Sequence, residues 1–329
     1  MSAAGGSVAV APDSRAPGPA DLALFGSLVL VIGSSYPFTE VGLDAYDPLT
    51  MVLMRLVIGA AFLGGWMVWR RIPLPRRDGD LPRLLALGLL NTLGAFLLLT
   101  WGQQYLAASF AAILVATGPI FATIGAAFTL PDERVSLRQG AGVLVGFGGI
   151  VVLFSGGFGG DGDRHHSTVD GIVGSTAILS ATALIAIVAI TVRRGFGHLA
   201  PAQIAMPQLL TGITAVSLLL LLLAPVGVVS VRFDPGAVAA GAAVLSLGLM
   251  NAGVGNLLYY ASLARFGVTG TALVGYLAPI VGVALTIAVI HHRPGANEFG
   301  GLALVVASMA LVGPRNVGLR RVAAPSNTT

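Results

Sequence analysis

Cysteine and lysine are both absent from this 329-residue chain. Without cysteine there is no disulfide, no thiolate nucleophile and no thiolate-bound metal. All 18 basic side chains are therefore arginine. Charge of either sign is scarce: 10% of residues are charged and 55% are hydrophobic, whereas a soluble domain carries about 25% charged residues. A chain of this size cannot cover a soluble surface with so little charge, and its mean hydropathy of +0.88 agrees. The net charge of +4 does not mark a nucleic-acid partner, because the arginines lie in short loops between apolar runs, as in proteins that fix their topology in a bilayer. Deep acidic residues are missing as well. Glu40 is the acid nearest to an apolar interior, towards one end of a run. His165-His166 and His291-His292 are adjacent pairs in loops rather than spaced helical ligands, so no metal site is expected. There is no phosphate-binding GxxxxGK[ST] pattern and no Ser-His-Asp set at one depth. Neither an ATP-driven machine nor an enzyme is indicated, and no cofactor.

The chain does contain long apolar runs. A bilayer core of about 30 Å needs roughly 17–25 apolar residues per helix. Ten runs meet that requirement, at about 21–41, 48–69, 81–102, 106–130, 138–156, 171–192, 202–225, 236–260, 268–290 and 297–314. Runs such as Leu218–Leu223 and Val281–Ile290 do not alternate apolar and polar residues as barrel strands do. The chain therefore reads as an all-α polytopic membrane protein. Residues 1–20 read as a disordered tail, and the first run as a retained helix rather than a cleaved leader. Ten spans put both termini on one side. With that side inside the cell, fourteen arginines fall inside and Arg164, Arg232 and Arg293 outside. This positive-inside bias predicts a bacterial inner membrane with both termini cytoplasmic.

The chain also repeats itself. LALGLLN at residues 85–91 returns as LSLGLMN at residues 245–251, an offset of 160. Pro119-Ile120 and Pro279-Ile280 keep the same offset. Five spans per half would turn the second half over in the membrane, and transporters of that design place their sites where the halves meet.

Five segments carry a family resemblance. They are Ile32–Phe38 with Asp47-Pro48 and Arg55; Gly88 with Asn91; Ala108–Ile113; Pro119-Ile120-Phe121 with Glu133; and Gly270–Leu273 with Tyr276 and Pro279-Ile280. In order and spacing the chain resembles the EamA-type branch of the drug/metabolite transporter superfamily, over about residues 21–314. The resemblance implies ten transmembrane helices in two inverted five-helix EamA repeats: residues 21–156, an extracytoplasmic loop at 157–170, residues 171–314, and a cytoplasmic tail at 315–329. Within the superfamily the chain is similar to amino-acid and small-metabolite exporters, aromatic-amino-acid exporters among them. The expected partners are a small-molecule substrate and the lipid bilayer, in a monomer or a dimer. A channel, or a facilitative exporter of other small solutes or organic cations, is the alternative. The chain departs from the family at Glu133, whose partner 160 positions on is Arg293.

The candidate cavity and gating residues follow from burial cost. Arg55 lies about 10 Å below the start of its helix at 1.5 Å per residue, where an ionisable group needs a partner, water or a functional role. Glu40, Asp44 and Asp47 are available as ion-pair partners; the alternatives are gating or substrate-carboxylate contact, or snorkelling to the interface. Asn91 and Asn251 are repeat-mates that serve as helix-packing glue or line the cavity. Asn256 and Tyr260 share a helix face. Trp101, Tyr259 and Tyr260 form either an interfacial belt or an amphipathic wall for substrate. Pro37, Pro119 and Pro279 bend helices, as static packing features or as gates. Tyr36 and Tyr276 lie beside these prolines. Facilitated export fits at least as well as proton exchange, unless Glu40 titrates.

Overall fold

The computed structural model describes residues 18–75, 79–129, 168–225, 236–272, 274–290 and 295–312, with scattered residues between 138 and 152. The described residues are helical throughout, apart from short connections. Six helical stretches are long and apolar enough to cross a membrane: Pro19–Leu43, Pro48–Arg70, Asp80–Gln103, Val169–Gly195, Pro201–Leu223 and Val238–Val268. Three further apolar stretches, Phe110–Ala122, Gly270–Leu285 and Phe299–Ser308, are shorter.

This corrects the expectation of ten transmembrane helices in two inverted five-helix repeats. Among the described residues the long apolar helices number six, and no clear division into two inverted sets of five is present. The run at 106–130 shows one physical reason. It breaks into α5 (Ala108–Val115) and α6 (Gly118–Thr129). At the break the Thr117 hydroxyl donates to the Leu114 carbonyl at 2.7 Å, and Pro119 has no N–H to offer the ladder. A run of apolar residues cannot reveal such an interruption. Most of the run at 138–156 lies outside the described residues, as do residues 1–17, most of the 157–170 loop, Glu133, Arg293 and the tail from 313.

Local chemistry sets the helix ends. Helix α1 (Pro19–Leu43) and helix α2 (Pro48–Arg70) both begin on proline, where the missing N–H costs nothing. Asp47 caps α2, its Oδ1 accepting from the Leu49 and Thr50 amides at 3.1 Å each. Such a cap stabilises by about 1 kcal/mol. At the far end Arg71 takes a left-handed conformation, φ 55°, and stops the helix.

The stretch from residue 80 to 103 is not uniform. Helix α3 (Asp80–Leu89) passes into a π-helical segment, π1 (Leu90–Leu97), and then into α4 (Leu98–Gln103). The stretch from 238 does the same, as α9 (Val238–Ser246), π2 (Leu247–Gly255) and α10 (Asn256–Ala272), the last kinked at Gly267. Helices α7 (Thr168–Gly195) and α8 (Pro201–Leu223) lie between them in sequence. Helix α11 (Val274–Ile290) and helix α12 (Ala296–Val312) follow. The two π segments fall on the repeated heptapeptide, and each holds one of its asparagines. π-Helical turns are rare and are frequently found at functional sites.

Small residues let these helices touch backbone to backbone, the usual device for packing in lipid. A methyl group on Gly33 of α1 would lie 2.7 Å from the Ala278 carbonyl oxygen and from Val281 Cβ, both on α11. A methyl group on Gly102 of α4 would lie 2.8 Å from the Gly174 carbonyl oxygen of α7. The largest core cluster joins α2, α3, α7, α8, π2 and α10 through Leu56, Leu63, Leu84, Val188, Leu209, Ala252 and Leu263.

Candidate functional site

Two polar clusters lie inside this apolar framework. In the first, Arg55 projects from α2 and is only 3% exposed. Its Nη2 donates to Asn251 Oδ1 in π2. Its guanidinium carbon sits 4.8 Å from the ring centre of Phe96 in π1, within cation–π range. Both π segments therefore converge on one buried cation. The Arg55 Nε–H is buried and has no acceptor.

Two of the acids read as partners for Arg55, Glu40 and Asp47, do other work. Glu40 Oε2 accepts the Ala108 amide at 2.7 Å and so caps α5, whose own N-cap position is an alanine with no side-chain oxygen. Asp47 caps α2. Among the described residues no carboxylate pairs with Arg55.

The second cluster centres on Gln208 of α8. Its Oε1 accepts from Asn91 Nδ2 and from the Tyr260 hydroxyl, each at 3.0 Å. Its Nε2 donates to the Ile204 carbonyl at 3.1 Å. All three residues are buried. Asn91 belongs to π1 and Tyr260 to α10, so one amide ties three segments together.

The structure thus brings Arg55 to Asn251, and Asn91 to Tyr260. Tyr259 stands edge-to-face with Tyr260, ring centres 5.4 Å apart. Trp101 makes its ring contact with Tyr105 at 5.1 Å. Asn256 turns back on its own helix, its Nδ2 donating to the Ala252 carbonyl at 2.8 Å. Tyr36 is buried against Ala108 and Ala112, one residue before the buried Pro37. Pro119 and Pro279 are buried. The side chain of Tyr276 lies outside the described residues. Sequence reasoning missed Gln208 and Phe96. A lone glutamine in an apolar run was a readable signal for the first; nothing in the sequence marks Phe96 off from other interior phenylalanines. Among the described residues no three His, Cys, Asp or Glu side chains are grouped to hold a metal ion.

Long apolar helices packed through glycines, with charged and amide groups held between them, define a polytopic membrane protein. The EamA-like transporter family model matches residues 20–155 and again 172–313, and the chain belongs to that family. It is therefore a transporter and not an enzyme. It is 29% identical over 303 residues to a probable terminal-alkyne amino-acid exporter of Streptantibioticus cattleyicolor, covering 90% of this chain and 95% of that protein. It is 30% identical over 128 residues to the uncharacterized transporter YoaV of Bacillus subtilis, covering 39% of this chain and 44% of that one. A solved crystal structure shares the fold with a TM-score of 0.67 at 18% identity, over 93% of this chain and 100% of that one. Arg55 and Asn91 lie in the first matched stretch; Gln208, Asn251 and Tyr260 lie in the second.

Proposed function

We propose that this protein exports amino acids or related small metabolites across the bacterial inner membrane by alternating access to an interior site, with both termini in the cytoplasm. One observation carries the reading: both buried polar clusters join the first family-matched stretch to the second, Arg55 to Asn251 and Asn91 to Gln208 and Tyr260. Polar side chains are costly at membrane depth and mark substrate paths. The relative named as an amino-acid exporter, matched over nearly its whole length, supports amino acids as the cargo class. Tyr36, Trp101, Asn256, Tyr259 and Tyr276 are the further residues assigned to the path, and Pro37, Pro119 and Pro279 the bends that let it open. Glu40 is engaged as a helix cap, which favours facilitated export over proton exchange.

The test is efflux from proteoliposomes preloaded with a panel of radiolabelled amino acids, with and without a pH gradient. Saturable efflux, accelerated by unlabelled amino acid on the opposite side, is expected. Absence of efflux for every member of the panel would overturn the reading. Efflux without saturation or trans-acceleration would instead identify a channel.

A further inference from the structure

The geometry points to Arg55 as a receptor for the carboxylate of the transported molecule, with Asn251 as the neutral stand-in that holds the guanidinium until that carboxylate arrives. The inference rests on the export reading above and names the group that the site recognises. An arginine carries five N–H donors and no acceptor. Nε and Nη2 form one edge of the guanidinium fork, the edge that receives a carboxylate through two parallel bonds. In this structure Nη2 is met by the single oxygen of Asn251, and Nε–H, fully buried, has no acceptor. Asn251 therefore fills half of a two-oxygen site. The Phe96 ring centre lies 4.8 Å from the guanidinium carbon, a contact that offers the cation no hydrogen-bond acceptor.

Charge makes the same demand. A carboxamide cannot neutralise a cation, and a buried unpaired charge is strongly unfavourable. Arg55 is 3% exposed, and among the described residues no acid pairs with it. A substrate carboxylate supplies both the missing charge and the missing second oxygen. Asn251 can give way because it lies in π2, Leu247–Gly255, where the ordinary helical ladder is already interrupted. Replacing Asn251 by the substrate would then couple occupancy to the conformation of that segment.

The test compares wild type with Arg55→Lys and Asn251→Asp in detergent micelles. Binding of an amino acid and of its carboxamide is followed by ligand-induced thermal stabilisation. Wild type is expected to bind the acid at least about tenfold more tightly than the amide, as sites built around a buried polar partner do. Arg55→Lys keeps the charge but loses the fork, so its preference for the acid should fall by about tenfold. Asn251→Asp builds the carboxylate into the protein. It should fold, melt above wild type and lose binding of the acid. Equal binding of acid and amide by wild type would overturn the inference, as would an Asn251→Asp protein that still binds the acid normally. Efflux separates the two readings. If both acid and amide leave preloaded vesicles equally well, the export reading stands and the carboxylate receptor falls. If neither leaves, the export reading falls.

Discussion

Replacing Gln208 by leucine tests how the interior is held together. Leucine keeps roughly the volume of glutamine and removes only its amide. Gln208 Oε1 accepts two hydrogen bonds, from Asn91 Nδ2 and the Tyr260 hydroxyl, so both donors lose their acceptor at once. Interhelical hydrogen bonds inside membranes average about 0.6 kcal/mol and reach about 1.7. Tyr260→Phe, which removes one bond and leaves Asn91 paired, should cost within that range, about 0.6–1.7 kcal/mol. Gln208→Leu removes these two bonds and the one from its Nε2 to the Ile204 carbonyl, and strands two buried donors, which raises the expected cost to about 2–4 kcal/mol. The assay is reversible unfolding in mixed micelles, followed by fluorescence of Trp66, Trp69 and Trp101, the three tryptophans of the chain. If the tyrosine hydroxyl acts only through Gln208, adding Tyr260→Phe to Gln208→Leu should cost nothing further, and should recover part of the loss by removing a stranded donor. Additive losses in the double variant, or a Gln208→Leu cost no larger than that of Tyr260→Phe, would refute the shared-acceptor account.

Three further substitutions can be read by thermal melting of the purified protein in detergent. Glu40→Ala removes the acceptor for the Ala108 amide and should destabilise by about 1 kcal/mol, as the loss of a helix cap does; Glu40→Gln, which keeps an oxygen there, should melt close to wild type. Gly33→Val drives a side chain into the Ala278 carbonyl and Val281, 2.7 Å from its first carbon, and should cost about 1–3 kcal/mol from overpacking, whereas valine at Gly65, which has nothing within 4 Å, should be tolerated. Gly267 has φ 74° and its open face is filled by the Arg193 guanidinium, so Gly267→Ala should cost about 1 kcal/mol or more.

Burial cost made the interior residues legible, because an Arg or Asn in an apolar run has few reasons to be there. Arg55, Asn91 and Asn251 stand out in the sequence for that reason. Their partners do not, because pairing depends on which helices lie side by side. Arg55 and Asn251 are 196 positions apart, and the acids nearest in sequence to Arg55 looked like better partners until the structure placed Glu40 and Asp47 on amide groups. The duplicated heptapeptide marked the places where the helices change character. It could not show that the change is to a π-helix, because that depends on hydrogen-bond register rather than composition. The span count failed where backbone geometry interrupts an unbroken apolar composition, as it does between Val115 and Gly118.

Helix α1 is tied at both tips. Near its start Asp21 takes two bonds from Arg265 of α10, at 2.8 and 3.0 Å. Near its end Glu40 holds the first turn of α5, and in between Gly33 presses on the backbone of α11. A rod pinned at two ends and bearing on a third body cannot swing like a door about either tip. It can only roll about its long axis, or move together with α5 and α10. Any swing of α1 alone must therefore release one of two identifiable pins, a guanidinium–carboxylate pair or a single capped amide, and locking both pins chemically would leave only the rolling and joint motions.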